Sequence, residues 1–219
     1  MISFAMAQIP MNKFINESSE FMTDAYGHPM YMKTVYNAEG SPFFNDNYVP
    51  ARLSFNGRTY SNIPVKINLS ENTVLYDRGG VDFVMTVPVQ KIELYDSIAD
   101  KYYLTFQNGF PGIGELTPLT YYQVIDSGKA TLLKHIGISY RDDKPYYSAT
   151  VTRTFEQTVQ YYILTGNKMT IVPKNTDMLT DILKDTKNNI ASFIEKNKLK
   201  ISREQDLEKI ISHFNNTDH

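Results

Sequence analysis

The chain has 219 residues, 42% of them apolar, and its 22 basic and 24 acidic side chains leave a net charge of −2. That length suits one large domain, or one domain with a small helical appendage, and the apolar share is enough for a buried core. The near balance of charge gives no drive toward nucleic acid or an anionic membrane surface, and the lack of cysteine excludes disulfides, thiol catalysis and thiolate metal sites.

At the start of the chain, Met1 to Phe4 is a short apolar scrap, and Ala5-Met6-Ala7 before Gln8 has the small-x-small form of a signal-peptidase site. A complete signal has a basic region and a longer apolar run, and both are missing. Residues 1–8 therefore read as the remnant of a signal peptide, and the expected location is periplasmic or otherwise exported. An ordinary N-terminus that contains two alanines is the alternative, and it makes the chain cytoplasmic. No cysteine follows to carry a lipid, and no run approaches the ~20 apolar residues of a membrane helix.

Residues 9–174 read as an antiparallel β body that opens with a short helix or irregular segment. Phe14, Glu17, Ser18 and Phe21 suit that helix, with Gly27-His28-Pro29 ending it. Tyr31 to Tyr36 suits a first strand. A ladder of strands follows from Gly40 to Leu94. Gly40-Ser41-Pro42-Phe43-Phe44 is a turn and an aromatic pair. Ala51 to Phe55 is a strand, Asn56-Gly57 fits a type I′ hairpin turn, and Arg58-Thr59-Tyr60 starts back. Ile63, Val65, Ile67 and Leu69 alternate with Pro64, Lys66, Asn68 and Ser70, a period of two with one apolar face. Glu71-Asn72 turns the chain, Thr73 to Tyr76 returns, and Arg78-Gly79-Gly80 turns it again into a run from Val81 to Val87. Strands joined by such short turns are antiparallel neighbours, because a parallel pair needs a long crossover.

The order Gly-Ser-Pro-aromatic-aromatic-Asn at Gly40 to Asn45, then a strand, the Asn56-Gly57 turn and Ile63-Pro64-Val65-Lys66-Ile67-Asn68-Leu69, resembles a group of exported proteins of Bacteroidetes-type bacteria. Phe193 to Leu199, Asp206-Leu207 and Phe214-Asn215 are similar too. The likeness spans roughly residues 35 to 215. It implies an exported β-rich body with C-terminal helices, and it brings no catalytic role.

Beyond the ladder, Val89 to Tyr95 extends the sheet and Asp96 to Asp100 is a polar link. Lys101 to Gln107 is a strand, and Asn108 to Gly114 is a Gly-rich loop. Leu119 to Ile125 and Ala130 to Ile136 flank the hairpin turn Asp126-Ser127-Gly128-Lys129. Arg141 to Pro145 is a charged loop. Val151 to Phe155, Val159 to Leu164 and Met169 to Val172 are further strands. The period then changes from two to 3.6, so residues 175–219 read as helices packed on the body. Asn175-Thr176-Asp177 caps a helix carrying Leu179, Ile182 and Leu183, and a second carries Ile190, Phe193 and Ile194. Ser202 with Gln205 suits a capping box for a third, whose Leu207, Ile210, Ile211 and Phe214 make one apolar stripe. The expected fold is α+β, mainly β: an antiparallel meander of about eight to ten strands in a curled or barrel-like sheet, with short C-terminal helices.

No motif fixes a reaction. The Gly-rich loop lacks the lysine of a phosphate-binding loop, and Pro111 removes a backbone donor, so a long hairpin loop is the reading. His28, His135, His213 and His219 are too far apart in sequence to present a metal pair, and no metal or other cofactor is expected. No serine sits in G-x-S-x-G. Asp77, Asp82, Asp142 and Asp143 lie near turns, where aspartate is expected on structural grounds. The basic excess between Lys184 and Arg203 suits a solvated helix face. Asp96-Ser97-Ile98 resembles the short sequence at which exported proteins of such bacteria carry O-linked sugar. Four tyrosine doublets stand out, and Tyr146-Tyr147 falls in a loop. In a strand, neighbours point to opposite faces, so Tyr102-Tyr103, Tyr121-Tyr122 and Tyr161-Tyr162 are candidate ligand-facing aromatics. Tyrosine also suits half-buried sheet surfaces with no ligand at all.

The first functional reading is a non-catalytic exported binding or interaction protein of a bacterial envelope. Its partner would be an envelope protein, a glycan or a small apolar ligand, with no nucleic acid and no transmembrane segment. The alternatives are a β-barrel-like carrier of a small apolar ligand and a hydrolase with a spatially assembled carboxylate site.

Overall fold

A computed structural model of the chain describes residues 21–23, 29–31, 36–146, 150–184 and 189–217. Strands β1 (Phe21–Thr23) and β2 (Pro29–Tyr31) pair antiparallel with each other. One 11-stranded sheet holds the rest: β3 (Tyr36–Glu39), β4 (Val49–Phe55), β5 (Arg58–Asn68), β6 (Thr73–Asp77), β7 (Asp82–Val84), β8 (Lys91–Asp96), β9 (Lys101–Gln107), β10 (Tyr122–Asp126), β11 (Ala130–Asp143), β12 (Val151–Thr165) and β13 (Lys168–Ile171). Three helices follow, α1 (Thr176–Leu183), α2 (Asn189–Asn197) and α3 (Glu204–Asn216).

The sheet order is β13-β12-β11-β10-β9-β8-β4-β5-β6-β7. It contains two meanders, β4 to β7 and β8 to β13, joined where β4 pairs antiparallel with β8. The mainly β class, the meander and the C-terminal helices are as the sequence implied. The sheet is not closed into a barrel: its order ends at β7 and β13. One pairing is parallel, β3 on β12, between strands far apart in sequence. Asn56 and Gly57 both have positive φ, 51° and 70°, as a type I′ turn requires.

Several boundaries differ from the sequence reading. Arg141 to Asp143, expected as a loop, ends β11. The two strands expected between Val151 and Leu164 are one continuous β12. The run from Val81 supplies only Asp82–Val84 to the sheet. The signal remnant at residues 1–8 and the helix expected through Phe14, Glu17 and Ser18 lie outside the described residues, while Phe21 belongs to β1. Asn175 caps α1 as expected, its side chain accepting from Asp177 N at 2.6 Å. The Ser202–Gln205 box does not form. Helix α3 starts at Glu204, and Asp206 instead reaches back to accept from Lys200 N at 3.0 Å.

Contacts group the chain into two compact units. In the first, which includes Asn62–Val87 and Gly137–Gln157, the alternation in β5 buries Val65 and Ile67, and β6 adds Val74 and Leu75. The segment before β4 is pinned along β5: Phe44 N donates to Ile67 O at 2.8 Å, and Asn45 Nδ2 to Val65 O at 3.2 Å.

The second unit comprises Ala51–Ser61, Pro88–Ile136 and the chain from Thr158 onward. Here the sheet is covered on both faces, and the period of two decides which residue serves which. Leu132 and Ile163 pack with Leu179, Leu183, Ile190, Leu207, Ile210, Ile211 and Phe214 of the helices. Their neighbours Leu133 and Tyr162 pack on the other face with Phe110, Tyr122 and Met169, under Ile113 and Leu116 of the long loop between β9 and β10. The α3 stripe is thus buried against the sheet, as its spacing implied.

Candidate functional site

The most distinctive exposed chemistry of the second unit lies on β4, β8 and β9. Ala51, Leu53, Ile92, Leu94 and Phe106 are buried, so strand alternation turns Arg52, Lys91 and Glu93 outward. Arg52 is the register partner of Glu93, which is the partner of Thr105 on β9. The β8–β9 register then shifts: Leu94 faces Leu104, but Tyr95 faces Tyr102. Tyr103 is the extra residue of this bulge. A bulge re-aims the side chains beyond it, and here it sets Tyr102 on the face of Arg52.

The groups on this face hold one another. The Arg52 guanidinium carbon lies 4.1 Å from the centroid of the Tyr102 ring, a cation–π arrangement. Its Nη1 is 3.6 Å from Glu93 Oε2, and Lys91 Nζ donates to Glu93 Oε1 at 2.9 Å. The Tyr95 and Tyr102 rings are 5.2 Å apart. Tyr95 OH donates to Asp100, which raises the phenol's ionisation above its ordinary range. The hairpin tip is set by Asp96, whose Oδ1 accepts from Ile98 N at 2.9 Å and Ala99 N at 3.0 Å. These backbone donors hold the Asp96 carboxyl below its ordinary value. Ile98 at the tip is 97% exposed, Tyr103 46% and Tyr102 37%.

The other candidate tyrosines are placed differently. Tyr121 and Tyr122 are both buried. Tyr121 OH donates to Val89 O at 2.8 Å, and burial pushes its pKa up to about 12. The Tyr122 ring meets Phe110 and Tyr162 edge-on, each at 5.7 Å, and its enclosed hydroxyl has no hydrogen-bond partner among the described residues. Tyr162 is buried beside it. Tyr161 faces the helices, donating to Glu204 Oε2 at 2.5 Å, where Lys134 Nζ also donates at 2.6 Å. Of the six, then, Tyr102 and Tyr103 are exposed, and Tyr102 stands on the face of Arg52. Sequence reasoning missed Tyr95 and Arg52. Tyr95 was recoverable, because it and Tyr102 flank the Asp96–Asp100 turn as opposed hairpin residues. Arg52 was not, because its place beside Tyr102 depends on β4 pairing with β8.

The remaining motifs resolve as structure. In the Gly-rich loop, Gly109 N donates to Pro118 O at 2.7 Å, and Ile113 and Leu116 bond each other. Those donors are already bonded within the loop, so they do not serve an anion. His135 is half-buried against Tyr122, and burial lowers its pKa. His213 stacks on Phe193 at 3.9 Å, while His28 and His219 lie outside the described residues. Among the described residues, no group of three His, Asp or Glu side chains could hold a metal ion. Asp142 is held by Arg153 through two hydrogen bonds of 2.7 and 2.8 Å. In the first unit, Asp77 and Asp82 are direct cross-strand partners on β6 and β7. Tyr48 lies near both, and burial first, then Asp82, raises its ionisation well above the ordinary phenol range.

Comparison with known proteins finds no matching family model, curated protein or solved structure.

Proposed function

We propose that this chain is a non-catalytic binding protein whose β4–β8–β9 face engages an extended glycan. The carrying observation is the Tyr95–Tyr102 ring pair set beside Arg52, Lys91 and Glu93, with Tyr103 exposed next to it in the chain. Flat rings offer area at little entropic cost, and the charged groups between them offer hydrogen bonds. Lysine and glutamate are depleted at the centre of protein–protein interfaces, so the place of Lys91 and Glu93 here favours a polar ligand over a protein. A carrier of small apolar ligands is less well supported, because the sheet is open and both faces of β11 and β12 in the second unit are filled by packed side chains. The export component rests on the Ala5-Met6-Ala7 spacing and on the resemblance to exported Bacteroidetes-type proteins; cell fractionation tests it.

The binding test is calorimetric titration of the full chain against soluble bacterial polysaccharides. Tyr102→Ala with Tyr103→Ala should abolish binding, while Tyr146→Ala, exposed elsewhere, should leave it unchanged. Undiminished binding by the double variant would overturn the reading. A second reading, hydrolysis, is favoured by one observation, the Asp77–Asp82 pairing beside Tyr48. Directly opposed residues have Cβ atoms about 5 Å apart on one face of the sheet, which puts two carboxyl groups within reach of the roughly 5–5.5 Å separation of a retaining glycosidase. Glycan cleavage that disappears in Asp77→Asn and Asp82→Asn would decide for it.

A further inference from the structure

The chain contains Asn-Gly twice, at Asn56-Gly57 and Asn108-Gly109, and the fold treats the two in opposite ways. Glycine lacks a Cβ, so an Asn-Gly pair gives the following amide nitrogen unusually open access to the asparagine side chain. At Asn108 every participant is tied down. The asparagine is only 7% exposed. Its Nδ2 donates to Val89 O at 3.0 Å, and its backbone N donates to Gln90 O at 3.2 Å. The nitrogen that would attack, Gly109 N, donates to Pro118 O at 2.7 Å. At Asn56 none of these restraints is present. Asn56, Gly57 and Arg58 are all exposed at the tip of the β4–β5 hairpin. Among the described residues, no side-chain bond holds Asn56 and no hydrogen bond holds the Gly57 amide. The space around the Gly57 Cα is open, with no atom within 4 Å of where a Cβ would stand.

We infer that Asn56 is a site of spontaneous covalent modification, deamidation to aspartate and isoaspartate, while Asn108 is protected by the fold. The step balances with water as the one co-reactant. The Gly57 amide nitrogen loses its proton and attacks Asn56 Cγ. The Cγ–Nδ2 bond breaks and ammonia leaves, which closes a cyclic imide. Water then opens the imide at either carbonyl, giving aspartate or isoaspartate. Both products place a new carboxylate two residues before Arg58 in the turn. Isoaspartate also adds a methylene to the main chain inside a two-residue turn, where turn geometry sets the register of β4 on β5. The enzyme class that would act on the product is a methyltransferase that recognises isoaspartyl carboxylates.

The test ages the purified full chain at mildly alkaline pH, in buffer and in concentrated urea, followed by peptide mapping and isoaspartate detection. In buffer, Asn56 should convert at least about tenfold faster than Asn108, the factor that a local opening cost of about 1.4 kcal/mol imposes. In urea the two should convert at similar rates, because sequence alone then governs. Equal rates in buffer would overturn the inference. So would an intact Asn56 in buffer that converts only in urea, since the turn would then be the protecting element.

Discussion

Two adjacent tyrosines show how finely burial must be read at the residue scale. Tyr121 and Tyr122 are both in the core, and burial pushes each phenol up to about 12. Tyr121 OH has an acceptor in Val89 O, whereas Tyr122 OH has none. A buried hydroxyl without a partner costs about 1–3 kcal/mol, while an ordinary hydrogen bond contributes about 0.5–1.5 kcal/mol. Tyr122→Phe should therefore hold or raise the urea midpoint, and Tyr121→Phe should lower it by about 1 kcal/mol equivalent. Matching losses for both would mean that the Tyr122 hydroxyl has a bridging water. The sequence showed a tyrosine doublet here, but both rings ended inside. Tyr122 opens β10, so Tyr121 precedes the strand and escapes its alternation.

Beyond its apolar stripe, helix α3 is tied to the sheet by polar side chains at both ends. At its start, Glu204 accepts from Lys134 and Tyr161. At its end, Asn215 acts as a short surrogate strand: Ala130 N donates to its Oδ1 at 2.9 Å, and its Nδ2 donates to Ala130 O at 3.0 Å. Lys129 Nζ donates to Thr217 O at 2.6 Å, a cation at the negative end of the helix. This closeness requires Gly128, because a Cβ there would stand 2.6 Å from Asn215 Cγ. Gly128→Ala must displace the amide, and Asn215→Ala removes it; each should cost about 1–3 kcal/mol. Together they should cost little more than Asn215→Ala alone, because the second change finds nothing to displace. Additive losses in urea unfolding would show that Gly128 serves its own turn instead. Phe214→Ala, which empties part of the apolar core, should cost about 3–5 kcal/mol, and exposed Lys209→Ala almost nothing.

For the whole molecule, His135 and Glu204 contribute to the response to acid with the same sign as Asp96 and Asp142, whose hydrogen bonds also hold them low. His135 is half-buried, and that burial puts its folded value below the ordinary 6.5. Between the two values the unfolded chain binds a proton that the folded chain does not, and stability falls as pH falls. Burial alone would raise Glu204, but hydrogen bonds from Lys134 and Tyr161 hold it below the ordinary 4.5. Its contribution is complete above 4.5 and is lost as pH falls through the folded value. Urea midpoints should therefore decline in two stages on acidification. His135→Gln should flatten the upper stage, and Glu204→Gln should shrink the lower, which Asp96 and Asp142 share. Parallel profiles for the parent and His135→Gln across the upper stage would refute the assignment to His135.

The sequence by itself determined what local chemistry controls. Turn residues such as Asn56-Gly57 and Gly79-Gly80, the period of two in β5 and the period of 3.6 in α3 each act within a few neighbours, so the strand order within each meander and the buried stripe of α3 were legible. Only the tertiary structure decided what depends on partners distant in sequence. Glu156 to Thr158 read as a break, yet they continue β12, because backbone pairing can carry a strand whose side chains are all exposed. The joining of the two meanders at β4 and β8, the parallel approach of β3 and the open ends at β7 and β13 likewise follow from main-chain hydrogen bonds that no residue type announces. The candidate face divides in the same way. Tyr102 and Tyr103 were visible as a doublet, but their exposure, and the approach of Arg52, arise from a bulge and a strand pairing that exist only once the sheet has formed.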